Sequence, residues 1–301
     1  GPEVSYETEA FLKEHPQVTG VMTGEGEETF LELCESYAKA GIGEMAEKMN
    51  LSGIKGIMYR AGESLVKTGA REPLDLNRIP FCYGGVEDFR NRIIYYESSR
   101  GCPFRCSYCL SSVEKTLRFR DVERVKKELA FFLEQEVAQV KFVDRTFNCR
   151  HEHAMEIWKF LIEHDNGVTN FHFEISADLL TDEEIALIGQ MRPGLIQLEI
   201  GVQSTNDATI TEIHRTMQLD RLKAVVRSIQ EKENIHEHLD LIAGLPYEGY
   251  ETFARSFDEI YALKPNQLQL GFLKVLKGSY MYEHATEYGL IYRSRPPYEV
   301  L

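Results

Sequence analysis

The chain has 301 residues, 43% of them hydrophobic and 27% charged, with a formal net charge of −14. That length holds one large domain or two smaller ones, and the apolar share supports a substantial buried core. The acidic balance argues against an extended nucleic-acid surface, and the lack of a long apolar run or a signal-peptide pattern predicts a soluble, cytoplasmic protein with no membrane partner.

Residues 1 to about 80 offer few elements. Val18–Thr23 reads as a strand and Glu27–Lys39 as a helix with Phe30, Leu31, Cys34 and Ala38 on one face. Asn50–Arg60 suggests a small Gly-rich hairpin, and Glu72-Pro-Leu-Asp-Leu-Asn-Arg-Ile-Pro80 an extended linker. This is too little for a complete doubly wound domain and reads as the tail of one.

From about residue 92 short apolar runs alternate with helical patterns. The strand candidates are Ile93–Glu97, Gln139–Asp144, Asn170–Ser176, Leu195–Val202, His238–Ala243 and Gln267–Val275, rich in Val, Ile, Leu and Phe as strands covered on both faces are. Helical stripes lie between them: Val122, Val125, Leu129, Phe132 and Leu133; then Ala154, Ile157, Trp158, Leu161 and Ile162. Thr181 and Glu184 form a capping box ahead of Ile185, Ile188 and Met191. Leu222, Val225, Val226 and Ile229, and then Phe253, Phe257 and Ile260, complete the series. Six βα units with right-handed crossovers predict an α/β fold, a partial (β/α)6 TIM-like barrel. In such barrels the chemistry sits at the C-terminal ends of the strands.

The loop after the first of these strands reads Glu97-Ser-Ser-Arg-Gly-Cys-Pro-Phe-Arg-Cys-Ser-Tyr-Cys-Leu110, with Cys102, Cys106 and Cys109 spaced C-x-x-x-C-x-x-C. Three thiols cannot all be bridged, and clustered cysteines in a cytosolic chain read as metal-binding or catalytic. Thiolates are the usual ligands of iron–sulfur clusters. Three ligands to a four-iron cluster leave one iron open to a small molecule and to oxygen. A structural zinc site would want four protein ligands, and an electron carrier a fourth cysteine; no Cys or His lies at a suitable short spacing, and Cys34, Cys82 and Cys149 are scattered. Among the histidines, His151, His153, His164 and His172 form no recognisable ligand set, and His236 and His238 precede the fifth strand. The run Arg118, Arg120, Arg124, Lys126 and Lys127 reads as a solvated helix face.

The cysteine pattern, with the aromatic Tyr108 before Cys109, resembles the radical S-adenosylmethionine (SAM) superfamily. The resemblance implies a 4Fe–4S cluster on Cys102, Cys106 and Cys109, with SAM on the open iron and its cleavage to a hydrogen-abstracting radical. Phe142-Val-Asp-Arg-Thr-Phe-Asn148 stands where the superfamily often has a Gly-Gly-Glu turn, which leaves Asp144 as the acidic residue for SAM's amino group or as a structural carboxylate. Glu174 and Glu199, on the third and fourth strands, suit the ribose hydroxyls. Gly201-Val-Gln-Ser204 resembles a segment of coproporphyrinogen-dehydrogenase-like and cobalamin-associated members, which offers Gln203 to a ribose or to the SAM carboxylate. Arg215, in Ile213-His-Arg-Thr216, matches an arginine used against that carboxylate. Asp240-Leu-Ile-Ala-Gly-Leu-Pro246 resembles a turn beside adenine, with Gly244 for close backbone approach and Asp240 as a polar contact.

Gly1-Pro-Glu-Val-Ser5 and Gly24-Glu-Gly-Glu-Glu-Thr29 resemble the end of the cobalamin-binding domain that precedes the barrel in one subclass, which includes anaerobic Mg-protoporphyrin ester cyclases and methyltransferases. The implied layout is a Rossmann-like remnant with linker over 1–80, the partial barrel over 81–285 and the start of a truncated extension over 286–301. Cobalamin would belong to a full-length parent, because the chain has no D-x-H-x-x-G loop. The implied partners are a small-molecule or peptide substrate and a reductant such as flavodoxin or ferredoxin. Arg145, Phe147 and Lys274 are candidates for the substrate side of the barrel mouth. A tRNA-modifying methylthiotransferase, which would predict a second cluster's cysteines, and a non-catalytic metal-binding module stand as alternatives.

Overall fold

Period-two alternation builds the larger half of the molecule. The computed structural model describes residues 1–40, 51–84, 92–113 and 116–301, in two compact units, Gly1–Ile79 and Pro80–Leu301. In the second unit β4 (Ile93–Tyr96), β7 (Gln139–Phe142), β8 (Asn170–Ile175), β9 (Ile196–Gln203), β10 (His236–Ala243) and β11 (Gln267–Phe272) form a six-stranded sheet. The spatial order β11-β10-β9-β8-β7-β4 follows the chain order, and every pairing is parallel. Parallel neighbours need crossovers, supplied here by α4 (Val122–Glu134), α5 (His151–Glu163), α6 (Asp182–Ile188), α7 (Asp207–Glu212), α8 (Leu219–Gln230) and α9 (Tyr250–Tyr261). The result is the partial (β/α)6 barrel. A short antiparallel ribbon, β5 (Ser99–Arg100) and β6 (Arg118–Phe119), flanks the cysteine loop.

The two faces of the sheet differ, which corrects the expectation of strands apolar on both sides. On β9, Ile196, Leu198, Ile200 and Val202 are fully buried against the helices, while Gln197, Glu199, Gly201 and Gln203 look inward and stay half-buried. The helix-facing layer closes over Phe132, Phe142, Phe147, Trp158 and Phe173, all without solvent exposure. Burying each such ring contributes about 2 kcal/mol or more. Phe147 is therefore a core residue, tilted against Phe173 at 4.3 Å between ring centroids, and not a residue of the barrel mouth.

Helix starts follow local chemistry. The Asp121 side chain caps α4 through the Arg124 N–H, and the Thr181–Glu184 capping box opens α6 with both of its hydrogen bonds formed. The basic run around α4 is ion-paired rather than freely solvated: Arg120 and Arg124 both meet the buried Glu128, and Lys126 meets Glu123 and Glu156. The final residues return to the sheet's C-terminal end through bridges between Lys274 and Glu299 and between Tyr292 and Val300; α10 (Tyr280–Glu283) lies before them.

In the first unit α1 (Pro2–Ser5), α2 (Thr8–Glu14) and α3 (Glu27–Ala40) accompany β1 (Gly20–Met22), β2 (Ile57–Ala61) and β3 (Ser64–Lys67). The sheet order is β1-β2-β3 and both pairings are antiparallel, whereas a doubly wound sheet pairs its strands in parallel. The hairpin lies at Ile57–Lys67, a few residues beyond the expected span, whose Asn50 falls outside the described residues. The helix presents a different face from the expected one: Phe30, Leu31, Cys34 and Ala38 are exposed and Thr29 is buried. The cause is Arg71, whose guanidinium binds Glu32 at 2.6 Å and Glu28 at 3.3 Å and so docks the Glu28–Thr29–Glu32 face. Among the described residues no helix is long and apolar enough to cross a membrane.

Candidate active site

The cysteine loop leaves the sheet at the C-terminal end of β4. Gly101 starts it with φ of +98°, and a Cβ there would come within 2.5 Å of the Thr116 carbonyl oxygen, so only glycine fits the crossing of the ribbon. The loop is tied down by backbone: Ser107 N–H donates to Ile213 C=O at 2.9 Å, and Met281 N–H to Ser107 C=O at 2.9 Å. The turn around Arg215 and the cysteine loop are thus one fixed assembly.

Cys102, Cys106 and Cys109 line a single cavity of about 220 Å³ that opens to solvent at the strand ends. The same cavity is walled by Tyr108, Glu174, Glu199, Gln203 and Arg215 from the expected set, and by Asp240. Among the described residues no three metal-ligating side chains converge on one point. A structural single-ion site wants four protein ligands; three clustered thiols on one cavity are the donor set of an iron–sulfur cluster. Cys106 is the most buried of the three and burial pushes its thiol up, whereas Cys102 faces the Thr146 hydroxyl at 3.5 Å.

Strand register sets the cavity floor. Lys141 pairs with His172, Glu174 with Glu199, and His238 with Glu199, so alternate residues of four strands meet on the inner face. Glu199 accepts from His172 at 2.8 Å and from Lys141 at 3.0 Å, and these partners, His172 foremost, hold its carboxyl down to about 2. Glu174 has only looser partners, Arg145 at 3.8 Å and Lys141 at 3.9 Å. Burial, then the charge of Glu199, pushes it up to about 7. Asp240 lies 3.1 Å from His238 and is raised by burial. Two carboxyls in register with well-separated affinities for protons can divide the tasks of accepting and donating hydrogen bonds.

Gln203 ends β9 in an uncommon conformation, φ +74°, where the register with β10 skips one residue. Such a bulge re-aims a side chain; here Gln203 points into the cavity with its buried Oε1 unpartnered. Arg215 donates through Nη2 to the Gly201 carbonyl and through Nη1 to Tyr108 Oη at 3.4 Å and Cys106 Sγ at 3.8 Å, and its Nε is buried without a partner. An orphaned acceptor and an orphaned cationic donor beside three thiols fit an iron–sulfur cluster with an amino-acid-bearing ligand.

Three expected residues lie elsewhere. Asp144 is outside the cavity: it is 1% exposed and accepts from Ser98 N–H at 2.9 Å and from the Ser98 and Ser99 hydroxyls at 2.6 Å each. Its carboxyl braces the entry to the cysteine loop, and Thr146 takes the position beside Cys102. Gly244 does not line the cavity either, because the Val300 side chain packs where a Cβ would stand. Lys274 pairs through its backbone with Glu299, outside the cavity. Of the substrate-side candidates, Arg145 alone lines it.

Sequence reasoning misses Thr146, which lines the cavity, and Lys141 and His172, which act on it through Glu199. The period-two pattern carries the signal for Lys141 and His172, since each belongs to the polar alternate set of its strand, with Gln139 on β7 and with Asn170 and Glu174 on β8. Cys149, distant from the triplet in sequence, shares the Thr146 turn; its thiol is pushed up to about 11 by burial and by Cys102.

The radical SAM superfamily model matches residues 96–260, more than half of the chain. The chain belongs to the radical SAM superfamily. The cofactors of this superfamily are a 4Fe–4S cluster and SAM. The chain is 25% identical over 257 residues to an anaerobic magnesium-protoporphyrin IX monomethyl ester cyclase of Rubrivivax gelatinosus, covering 82% of this chain and 45% of that one. It is 27% identical over 275 residues to the cobalamin-dependent radical SAM methyltransferase TokK of Streptomyces tokunonensis, covering 84% and 38%. In fold it matches the radical SAM methyltransferase TsrM of Kitasatospora setae, solved with cobalamin and a 4Fe–4S cluster, with a TM-score of 0.80, 17% identity and coverage of 99% of this chain and 62% of that one. The chain spans about half the length of the curated relatives it matches.

Proposed function

We propose that residues 80–301 form the radical-generating core of a larger radical SAM enzyme, with Cys102, Cys106 and Cys109 holding the cluster and the adjoining cavity holding SAM. The observation that carries this reading is the meeting of the three thiols with the unpartnered Gln203 Oε1 and Arg215 Nε on one cavity wall. Bound together, the cluster and SAM supply a one-electron reductive cleavage whose carbon radical abstracts hydrogen from a substrate.

The chain's own residues do the holding and the excluding. Arg215 Nε offers a charged donor to a carboxylate. Gln203 offers an acceptor to an ammonium or hydroxyl group. Glu199, kept ionised by His172 and Lys141, accepts from hydroxyl donors, and Glu174 and Asp240 extend that acceptor surface across the inner face. The buried Asp144 network fixes where the loop starts, so that the thiols face the cavity and not solvent.

This reading requires a reductant, such as flavodoxin or ferredoxin, and a small-molecule or peptide substrate that enters past Arg145. Relatives named as cyclases and as cobalamin-dependent methyltransferases support cyclisation or methylation by the whole protein. Cobalamin is then a cofactor of the longer parent.

The test is anaerobic iron–sulfide reconstitution of the chain and of a Cys102/Cys106/Cys109→Ala variant, followed by SAM and a strong reductant. Wild type is expected to bind about four irons per chain and release 5′-deoxyadenosine, and the variant to do neither. Zinc retained in place of iron under iron-replete anaerobic conditions would overturn the reading.

A further inference from the structure

We infer that Arg215 and Tyr108 are positioning residues that tune the redox potential of the cluster by donating to the sulfur of Cys106. The inference rests on the proposal that the three thiolates hold a 4Fe–4S cluster, and it adds a function for Arg215 beyond contact with SAM.

The geometry is asymmetric. Cys106 is only 7% exposed and has both donors beside it: Arg215 Nη1 lies 3.8 Å from its Sγ, and the Tyr108 hydroxyl is close enough to the same atom to influence it. Arg215 Nη1 also reaches Tyr108 Oη at 3.4 Å, so cation, phenol and sulfur form a closed triangle. By contrast, the hydroxyl beside Cys102 is the neutral one of Thr146. The guanidinium cannot swing away, because Nη2 is held by the Gly201 carbonyl and the backbone of its turn is sewn to the cysteine loop at Ser107. Only Nε is left over for a ligand.

Reduction adds one electron to the cluster and spreads negative charge onto its sulfurs. A buried cation and two N–H or O–H donors aimed at one of those sulfurs stabilise the reduced form more than the oxidised form, and the low dielectric of a buried site strengthens the effect. A hydrogen bond to a charged partner is about twice as strong as a neutral one. Removing the cation should therefore make the cluster harder to reduce.

The experiment is a potentiometric titration of the reconstituted whole chain, without SAM, using Ti(III) citrate as the electron source and following the reduced cluster by electron paramagnetic resonance. Iron and acid-labile sulfide are measured in each sample. Arg215→Met is expected to cut the ratio of reduced to oxidised cluster at a fixed potential about tenfold, a shift of ~59 mV to more negative values. Tyr108→Phe is expected to move it a few-fold in the same direction, and Arg215→Lys, which keeps the charge but loses the fork, to fall between wild type and Arg215→Met. Unmoved midpoints in fully loaded Arg215→Met and Tyr108→Phe would overturn the inference while leaving the cluster assignment standing. Where Arg215→Met fails to load, the loaded Tyr108→Phe midpoint decides alone. A wild-type chain that assembles no cluster would instead sink the assignment, and the inference with it.

Discussion

Asp144 sits where a carboxylate would be sought for SAM, at the end of the second parallel strand, yet it faces the opposite way. Its three donors, one N–H and two hydroxyls, all come from Ser98 and Ser99. The Ser98 hydroxyl also lies 3.1 Å from His153 Nε2, and burial drives that imidazole down to about 4, so it is neutral at pH 7. Asp144→Ala would leave three buried donors unsatisfied, at a cost of about 3 kcal/mol. Asp144→Asn keeps the volume and should cost less. Denaturant unfolding of the metal-free chain measures this; equal stability of Asp144→Ala and wild type would return Asp144 to the list of ligand-facing groups. The same comparison shows what one strand's residues can reveal beforehand. That an acid closes the strand was legible at Asp144, but the direction of its carboxyl depends on Ser98 and Ser99, 45 to 46 residues upstream. Gly244 is a parallel case: its φ of +84° follows from the turn, but its loss from the cavity follows from Val300.

At the scale of elements, alternation does two jobs on each inner strand. The even set on β10 is His236, His238, Asp240 and Ile242, which face the barrel interior, while Leu239 and Leu241 face the helices. Glu237 belongs by parity to the apolar face and is fully buried there, beside Gln230, with neither carboxyl oxygen hydrogen-bonded. Burial lifts it to about 7, against an unfolded value near 4.5. Between those values the folded chain binds more protons than the unfolded one, so this group's contribution to stability is complete below about 4.5 and is lost as pH rises through about 7. Glu237→Gln should therefore leave stability near pH 4.5 little changed, raise it at pH 8 by about 2 kcal/mol, and flatten the slope between. A slope that survives the substitution would place its origin elsewhere. All six strands and five of the crossover helices are readable from such patterns, because strand burial is a nearest-neighbour property; α7, six residues long, is too short to show an apolar stripe. The inner-face set of Lys141, His172, Glu199 and Asp240 was only half readable: register between strands, not sequence within one, brings Lys141 and His172 to Glu199. The exposed face of α3 was misread for a similar reason, since Arg71, outside that helix, decides which side docks.

At the scale of the whole molecule the division at Ile79 and Pro80 separates chemistry from its N-terminal attachment. Every cavity residue, from Cys102 to Asp240, lies in the second unit. That unit has a continuous core reaching from Ile94 to Leu263, whereas the first is centred on Leu12, Val21 and Met58. A core of the larger kind sustains a domain of about 200 residues without help. The fragment 80–301 should therefore fold alone, unfold cooperatively, and bind iron and sulfide in the same ratio as the whole chain. The contrast in cores sharpens the expectation for the remainder: residues 1–79 alone should show weak or no cooperative unfolding, because the buried apolar side chains among its described residues, Leu12, Val21, Ile54, Ile57, Met58, Leu74 and Leu76, and a short antiparallel sheet offset little of the entropy of ordering that length. Calorimetry of both fragments and iron analysis of the larger one test the division together. A fragment 80–301 that is insoluble or cannot hold iron, while the intact chain does both, would show that the first unit completes the barrel and is not merely attached to it.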